Sequence, residues 1–493
     1  MNSQLQKIME AKKTGVLPRI LMAGAECAPF AKTGGLADVI GTLTRELHAL
    51  GFDIRLMLPF HRVIKDQYRE NVRHIASFSV DLGWRSQYAG IELYDWEGIP
   101  VYFIDNEYYF GHALYCGGNF EGEQYACFSR AAIEALPLIG FQPDIIHVND
   151  WHTAIIPMLL STQYDAGRQG RARTILSIHN LHYQGRFNFG FVADLLGIQD
   201  KYFQKDCIEF HGDASFLKAG IVFADKLVTV SPTYAQEIRT PYYGEGLDGI
   251  LETRADDLTG ILNGIDTAVF NPASDPWIPL PYDAASLQVK QKNKEALIAE
   301  LGLTIGPGTP LIGMVTRLTK QKGIDLVLRV FDEMMEAGLG FVLIGTGEKN
   351  YEHFFRGIAE STGKRAMGLT EFNDQLAHRL YAASDFFLMP SQFEPCGLAQ
   401  MIALRYGTIP IVRATGGLRD TVVPYNEYTD EGNGFSFENY NAHDMLHTVR
   451  YALDIYQNRA HMDSLRQRAM KQDLSFQKSA LDYANLYIAT IRS

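Results

Sequence analysis

Three cations, Arg317, Lys320 and Lys322, fall within six residues just after an apolar run, in a chain whose formal net charge is −12. An arginine fork beside lysine point charges suits a polyanion such as a diphosphate; the alternative is a solvated basic turn. Lys32 repeats the feature in the first half, directly ahead of Thr33-Gly34-Gly35-Leu36-Ala37-Asp38. That hexapeptide returns as Thr415-Gly416-Gly417-Leu418-Arg419-Asp420, with five of the six residues identical. A double glycine lets backbone approach a ligand closely and aims N–H groups at it, and a following helix start adds its positive dipole end. Two such loops, one in each half, point to two α/β domains that share one anionic ligand.

A second concentration of chemistry lies in Pro390-Ser391-Gln392-Phe393-Glu394-Pro395-Cys396-Gly397-Leu398. Glu394 precedes a proline, so its backbone is extended. Its carboxylate is suited either to accepting hydrogen bonds from sugar hydroxyls or to answering a helix dipole. Cys396 reads as a packed thiol, because no histidine lies near it in sequence to activate it. Histidines end first-half apolar runs at His147-Val-Asn149-Asp150-Trp151-His152, at His179-Asn180-Leu-His182 and at His211-Gly-Asp213. Asp150 and His179 are expected to face a reacting sugar, while His152 and His182 are expected to be satisfied structural groups. No His-Glu-x-x-His spacing and no Asp-x-Asp occurs, so neither a metal nor another cofactor is expected.

The elements that must position these residues are legible as short, continuous apolar runs. Arg19–Ala25, Asp53–Leu58, Asp144–Val148, Thr174–Ile178 and Lys226–Val230 fall in the first half. Pro310–Val315, Phe341–Ile344, Asp385–Met389 and Thr408–Val412 fall in the second. Such runs suit parallel strands buried on both faces, and helices are expected between them at Asp325–Glu336, Gln375–Ala383 and Leu398–Arg405. The proline-rich stretch Phe270–Tyr282 reads as a linker or domain edge. The expected division is 1–268, 269–475 and a C-terminal helix, 476–493, that docks through Leu481, Ala484, Ile488 and Ile491. The fold class is α/β: two doubly wound, Rossmann-like domains facing across a cleft at the carboxyl ends of their strands.

At 493 residues and 46% hydrophobic content, the chain can build two or three cores. Its acidity argues against nucleic acid or an anionic membrane surface as partner. Five cysteines without a C-x-x-C pair point to reduced thiols and a cytoplasmic setting. No apolar run approaches the ~20 residues of a membrane span. Met1–Pro18 lacks the apolar core of a secretory signal and reads as a disordered or helical lead-in.

Taken together, these residues resemble the bacterial glycogen synthase and plant starch synthase family of retaining glucosyltransferases. The resemblance runs from Arg19 to the C-terminal helix. It rests on Lys32-Thr-Gly-Gly-Leu-Ala-Asp38, His179-Asn-Leu-x-Tyr183-Gln-Gly185, Leu262-Asn263-Gly-Ile-Asp266, Arg317-Leu-Thr-x-Gln-Lys322-Gly323 and Glu394-Pro-Cys-Gly397. It implies the GT-B arrangement, an acceptor-side first domain, ADP-glucose as donor and the non-reducing end of an α-1,4-glucan as acceptor. By the same resemblance Lys32 and Gly35 contact the donor, Arg317 and Lys322 hold its diphosphate and Glu394 holds its hydroxyls. His179 lies beside the anomeric carbon and Asp150 near the glucosyl group. Gly34, Asn263, Cys396, Gly397, Leu398, Thr415, Gly416 and Gly417 complete the implied donor site, with Phe372 stacking on the base.

Three positions depart from the family pattern. Ala399 stands where bacterial members commonly carry threonine, and Glu371-Phe372-Asn373 replaces the usual glycine and tyrosine near the adenine. Ile402 stands eight residues after Glu394, where related nucleotide-sugar transferases outside the family carry a second glutamate. With no partner carboxylate evident for Glu394, front-face transfer is expected rather than a glycosyl-enzyme intermediate. The rival readings are a UDP-glucose-dependent enzyme of the same architecture and a non-catalytic glucan-binding protein. A dehydrogenase is disfavoured because the dinucleotide fingerprint is missing.

Overall fold

The computed structural model describes residues 2–15, 17–164, 172–371 and 373–492. The chain forms two compact units: Met1–Val230 with Ala235–Asn263 and Phe476–Ser493, and Ser231–Tyr234 with Gly264–Ser475.

Within the first unit, nine described strands form one sheet. In spatial order they are Leu258–Gly260, Lys226–Thr229, Arg173–Ile178, Ile145–Asn149, Ile20–Ala23, Ile54–Pro59, Ile99–Asp105, Arg85–Trp96 and Arg73–Leu82. The first seven run parallel, and all five apolar runs expected in this half are among them. Ile20–Ala23 and Ile145–Asn149 are buried at every position, the cost of which is met by helices on both faces. The last two strands form an antiparallel hairpin around Gly83-Trp84. Its outer strand is polar and largely exposed, so no apolar run announces it. A small antiparallel sheet orders Arg186–Asn188, Asp213–Ser215 and Glu209–Phe210.

Chain order reverses beside Ile20–Ala23: its next strand in sequence lies on one side and Ile145–Asn149 on the other. That switch point opens a crevice at the strands' carboxyl ends. Helix Gly35–Leu50 covers the sheet with Val39, Ile40, Leu43 and Leu47, then stops at Gly51, whose φ of 96° and N–H bonds to Leu47 and His48 cap it. The terminal helix Phe476–Arg492 docks on the same core through Phe476, Leu481, Ala484, Tyr487 and Ile488. Its Tyr487 hydroxyl lies 2.7 Å from His147 Nδ1, tying the chain end to the central strand. The lead-in is helical over Asn2–Lys13 and contributes Ile8 and Ala11 to that core.

The second unit holds a parallel sheet of six described strands. The order is Ala366–Leu369, Gly340–Ile344, Leu311–Val315, Phe386–Met389, Ile409–Arg413 and Phe435–Phe437. The four expected strands are its centre. Here the order reverses between Leu311–Val315 and Phe386–Met389, so the loops after Val315 and Met389 flank the crevice. Asp374–Ala383 and Ala399–Arg405 are helical nearly as expected. The expected single helix at Asp325–Glu336 is instead two, Ile324–Arg329 and Phe331–Glu336, broken where Val330 takes φ −123° and ψ 21°. The stretch Phe270–Tyr282 has no regular element, yet it is fastened: buried Asp275 bonds His378 Nδ1 at 2.7 Å and the Tyr406 hydroxyl at 2.6 Å.

Candidate active site

Each unit carries its chemically capable residues at its own switch point. In the first, the chain leaves Ile20–Ala23 through Glu26 and returns as the Lys32–Gly35 loop at the start of helix Gly35–Leu50. Lys32 Nζ pairs with Asp38 Oδ1 at 2.9 Å, the aspartate of the same hexapeptide. From the neighbouring strand end, Asn149 Nδ2 donates to the Ala23 carbonyl at 3.0 Å and locks the two strand ends together.

Asp150 follows with φ 53°, a left-handed backbone that a non-glycine residue holds only when its surroundings impose it. Its Oδ1 accepts the backbone N–H groups of His179 at 2.7 Å and Asn180 at 3.5 Å, so the two residues expected to face one substrate are in fact joined. Burial pushes the Asp150 carboxyl up to about 7, the two N–H bonds oppose that, and the nearby Glu26 carboxyl reinforces it. His179 Nε2 lies 2.9 Å from Asn149 Oδ1, and burial lowers its pKa to about 3, so its ring is neutral. His147 and His152 are driven down to about 3 by burial as well.

His152 differs from expectation in one respect. It packs against Trp151, Tyr125 and Tyr115, but its buried Nδ1 has no hydrogen-bond partner among the described residues, so it is packed rather than satisfied. His182 is exposed and its Nδ1 lies 3.2 Å from Glu245 Oε1; it lines an open cleft and is no buried structural group.

That cleft, of about 440 Å³, combines the aromatic faces of Trp151, Tyr183, Phe187 and Phe210 with Glu121, Gln184, Arg186 and Glu245. Flat apolar rings beside hydrogen-bonding groups are the composition that receives a sugar's ring face and its hydroxyls together. Sequence reasoning quoted Tyr183 and Gly185 in a motif but missed the cleft. Its residues come from five separate segments, and no local spacing reveals them. Asn263, at the end of this unit's second segment, is buried with its Oδ1 unpartnered among the described residues.

In the second unit the geometry centres on Glu394. It is buried, and its Oε2 meets Lys322 Nζ at 2.6 Å and the Ser391 hydroxyl at 3.0 Å. The carboxylate thus answers a lysine and a serine hydroxyl. The loops that bring the pair together are stitched by Gln392 N–H to the Gln321 carbonyl at 2.8 Å, and by Arg413 Nη1 to the Gln392 carbonyl at 2.6 Å. Arg317 and Lys320 are exposed on the same Lys322 loop.

The second Thr-Gly-Gly-Leu loop lies directly on this segment. A Cβ at Gly416 would stand 2.0 Å from the Glu394 carbonyl oxygen, and one at Gly417 2.1 Å from that of Cys396. Only glycine permits this approach, and the Gly417 N–H uses it to donate to the Glu394 carbonyl at 3.1 Å. Cys396 is a buried thiol, as expected, with Gly397 and Leu398 half-buried after it. Thr415 caps the short helix Gly416–Thr421. Asp420 at its far end accepts the Thr233 N–H at 3.0 Å and hydroxyl at 2.6 Å. Phe372 lies outside the described residues. Its neighbour Glu371 is exposed, with its Oε1 3.3 Å from Asn373 Nδ2.

Comparison with known proteins shows which family the chain belongs to. The profile described as starch synthase catalytic domain matches residues 19–253, and that of the glycosyl transferases group 1 matches 302–470. A glycogen synthase of Geobacillus thermodenitrificans (strain NG80-2) is 50% identical over 475 residues, spanning 96% of this chain and 98% of that protein. The chain belongs to the glycogen synthase family. A Bacillus cereus glycogen synthase (strain Q1) is 48% identical over 469 residues, covering 95% and 98% of the two chains. The catalytic domain of starch synthase IV from Arabidopsis thaliana, solved bound to ADP and acarbose, superposes with a TM-score of 0.89 at 34% identity. It covers 97% of this chain and all of that one. Sucrose-phosphate synthase from Thermosynechococcus elongatus, at 16% identity and a TM-score of 0.61, shares the fold. The chain is thus a glycosyltransferase of the glycogen and starch synthase kind, built from two Rossmann-like α/β domains of the GT-B class.

No helix among the described residues is long and apolar enough to cross a membrane.

Proposed function

We propose that this chain transfers glucose from ADP-glucose to the non-reducing end of an α-1,4-glucan with retention of configuration, as a cytoplasmic enzyme of glycogen synthesis. The observation that carries the reading is the Lys322–Glu394 pair at the switch point of the second unit, beside the exposed Arg317. Arg317 and Lys322 take the donor diphosphate, and Glu394 takes glucosyl hydroxyls once Lys322 turns to phosphate. The backbone at Gly34, Gly35, Gly397, Leu398, Thr415, Gly416 and Gly417 supplies close approach to the donor, with Cys396 packed behind it and Phe372 reserved for the base. In the first unit Lys32 and Asn263 serve the donor, His179 and Asp150 serve the glucosyl group, and the aromatic cleft beside Trp151 receives the glucan.

The chemistry follows from the charges. Glu394 is committed to the glucosyl hydroxyls, and Ile402 rather than a second carboxylate stands eight residues on, so Glu394 forms no glycosyl-enzyme. The C1–O bond to the diphosphate breaks first, its electron pair passing to the phosphate oxygen, where Arg317 and Lys322 stabilise the new charge. The acceptor hydroxyl then attacks C1 on the face the phosphate has left and gives its proton to that oxygen. Neutral His179 and the buried Asp150 border the glucosyl carbon without competing for the phosphate.

The test is incubation with labelled ADP-glucose and UDP-glucose, each with glycogen. Label passing to glycogen from ADP-glucose is expected; transfer from UDP-glucose alone would replace the donor, and transfer from neither would remove the activity.

A further inference from the structure

The two Thr-Gly-Gly-Leu loops are nearly identical in sequence but are held in different ways. Thr415 is held by backbone, its N–H donating to the Arg413 carbonyl at 3.0 Å. Thr33 is held by a side chain: Glu26 Oε2 accepts the Thr33 N–H at 2.6 Å and its hydroxyl at 2.7 Å. Glu26 is 2% exposed, so this carboxylate is taken from water and given two directed donors in exchange. The first Gly-Gly loop needs such an anchor because ten residues separate it from its strand, against two for the second loop. Paired backbone bonds between Cys27 and Ala31, at 3.0 and 2.9 Å, and the buried Phe30 order the lead as far as Ala31; Glu26 then bonds Thr33, which Lys32 and Gly34 flank.

We infer that Glu26 is a positioning residue, whose carboxylate fixes Thr33 and thereby aims Lys32 and the Gly34-Gly35 backbone at the donor diphosphate. The inference rests on the reading of Lys32 and Gly35 as donor contacts. Glu26 itself touches neither donor nor acceptor.

The groups around Glu26 give the anchor a pH dependence. Burial raises its carboxyl above the ordinary range and the charge of Asp38 adds to that, while the Thr33 bonds and the Tyr115 hydroxyl favour the ionised form. Lys32 faces the cluster paired to Asp38, and the Asp150 carboxyl feels Glu26 in turn. Protonation takes the charge from the oxygen that accepts both Thr33 hydrogens, so the two bonds weaken and the loop loosens on the acid side. An amide oxygen can accept both Thr33 hydrogens without titrating, which makes Glu26→Gln the informative variant.

The experiment measures amide hydrogen exchange at Thr33 and Gly34 in the full-length chain, with donor kinetics across pH, for Glu26→Ala, Glu26→Gln and Thr33→Val. Glu26→Ala is expected to lose Thr33 protection and to lower kcat by roughly 10²-fold, the scale for a misplaced contact group, with the acceptor KM unchanged. Glu26→Gln, neutral at every pH, is expected to show throughout the weakened Thr33 protection that wild type shows on the acid side, with the acid limb of the donor kcat/KM profile flattened. Thr33→Val is expected to fall between them, and Glu26→Ala with Thr33→Val to be no worse than Glu26→Ala alone. Wild-type Thr33 protection in folded Glu26→Ala, or an unmoved acid limb in Glu26→Gln, would overturn the inference. Lys32→Ala separates the two readings: unchanged donor kinetics there would remove Lys32 from the donor site, while exchange at Thr33 would still report the anchor.

Discussion

Lys322 and Glu394 form a direct ion pair, Nζ to Oε2 at 2.6 Å, with the glutamate side chain 7% and the lysine side chain 16% exposed. Two groups that the resemblance assigns to different parts of one donor, its diphosphate and its glucosyl hydroxyls, are thus bonded to each other. Lys322→Ala would strand a buried carboxylate. Breaking a buried pair costs about 3–5 kcal/mol, and the partial exposure of Lys322 lowers the expected loss to about 2–3 kcal/mol. Glu394→Gln leaves an amide that Ser391 still bonds, so it should fold normally yet lose most of its activity. The double variant should recover most of the stability lost in Lys322→Ala but none of the kcat, which should stay down by roughly 10²–10³-fold. Denaturation midpoints and kcat on the four chains of this cycle test it; activity recovered along with stability would reduce the pair to scaffolding.

The buried acid and histidines of the first unit should tilt stability against pH in opposite directions. Asp150, raised to about 7, holds its proton more tightly folded than unfolded. Its contribution is therefore full below the ordinary aspartate range and is lost as pH rises from about 4 to 7. His147, lowered to about 3, behaves in the reverse sense: its contribution is present above about 6.5 and is lost as pH falls toward 3. Either slope is bounded by about 1.4 kcal/mol per pH unit. Relative to wild type, Asp150→Asn should gain stability as pH rises from 4 to 7, and His147→Gln should show a shallower acid decline. Urea midpoints across pH 3–8 decide both; parallel curves for wild type and Asp150→Asn would show that Asp150 binds its proton equally folded and unfolded.

Divalent metal should be dispensable, because Arg317 and Lys322 supply the charge that an ion would otherwise bring to the diphosphate. Exhaustive chelation should change the transfer rate by no more than about twofold. Abolished turnover restored by one specific cation would contradict this.

Gly185 takes φ 59° against the face of Trp151, and a Cβ there would stand 2.3 Å from Trp151 Cε3. Gly185→Ala must therefore displace the ring that backs the aromatic cleft. The acceptor KM should rise by about tenfold, equivalent to about 1.4 kcal/mol of glucan binding, with the donor KM unchanged. Tyr183→Ala, which removes a half-exposed ring without moving Trp151, should raise it by a smaller factor. An increase confined to the donor KM would place the glucan elsewhere.

The central parallel strands were readable because burial on both faces requires unbroken apolar runs, and each run expected from Arg19 to Val412 is a strand; the parallel strands Ile99–Asp105, Leu258–Gly260 and Ala366–Leu369 were missed. The hairpin Arg73–Leu82 and Arg85–Trp96 was not readable either, since an edge strand facing water has no need of such a run. Phe435–Phe437, three residues long, is too short for any pattern to register. The site was legible where glycines and charges repeat, as in the two Thr-Gly-Gly-Leu loops and the Arg317–Lys322 turn. It was illegible where function depends on contact across the chain. Glu26 carries no spacing signal, and its role appears only when Thr33 is seen bonded to it. The Lys322–Glu394 pair spans 72 residues, and the cleft gathers Glu121, Trp151, Arg186 and Glu245 by folding alone.

The central claim is retaining transfer of glucose to a glucan end, and it is tested most directly by the product. Glycogen extended with carbon-13-labelled ADP-glucose should show, by NMR, labelled terminal residues in α-1,4 linkage, and an exo-acting α-1,4-glucan hydrolase should release the label first. Label in β linkage, label inside the chains, or label released only as free glucose would contradict it.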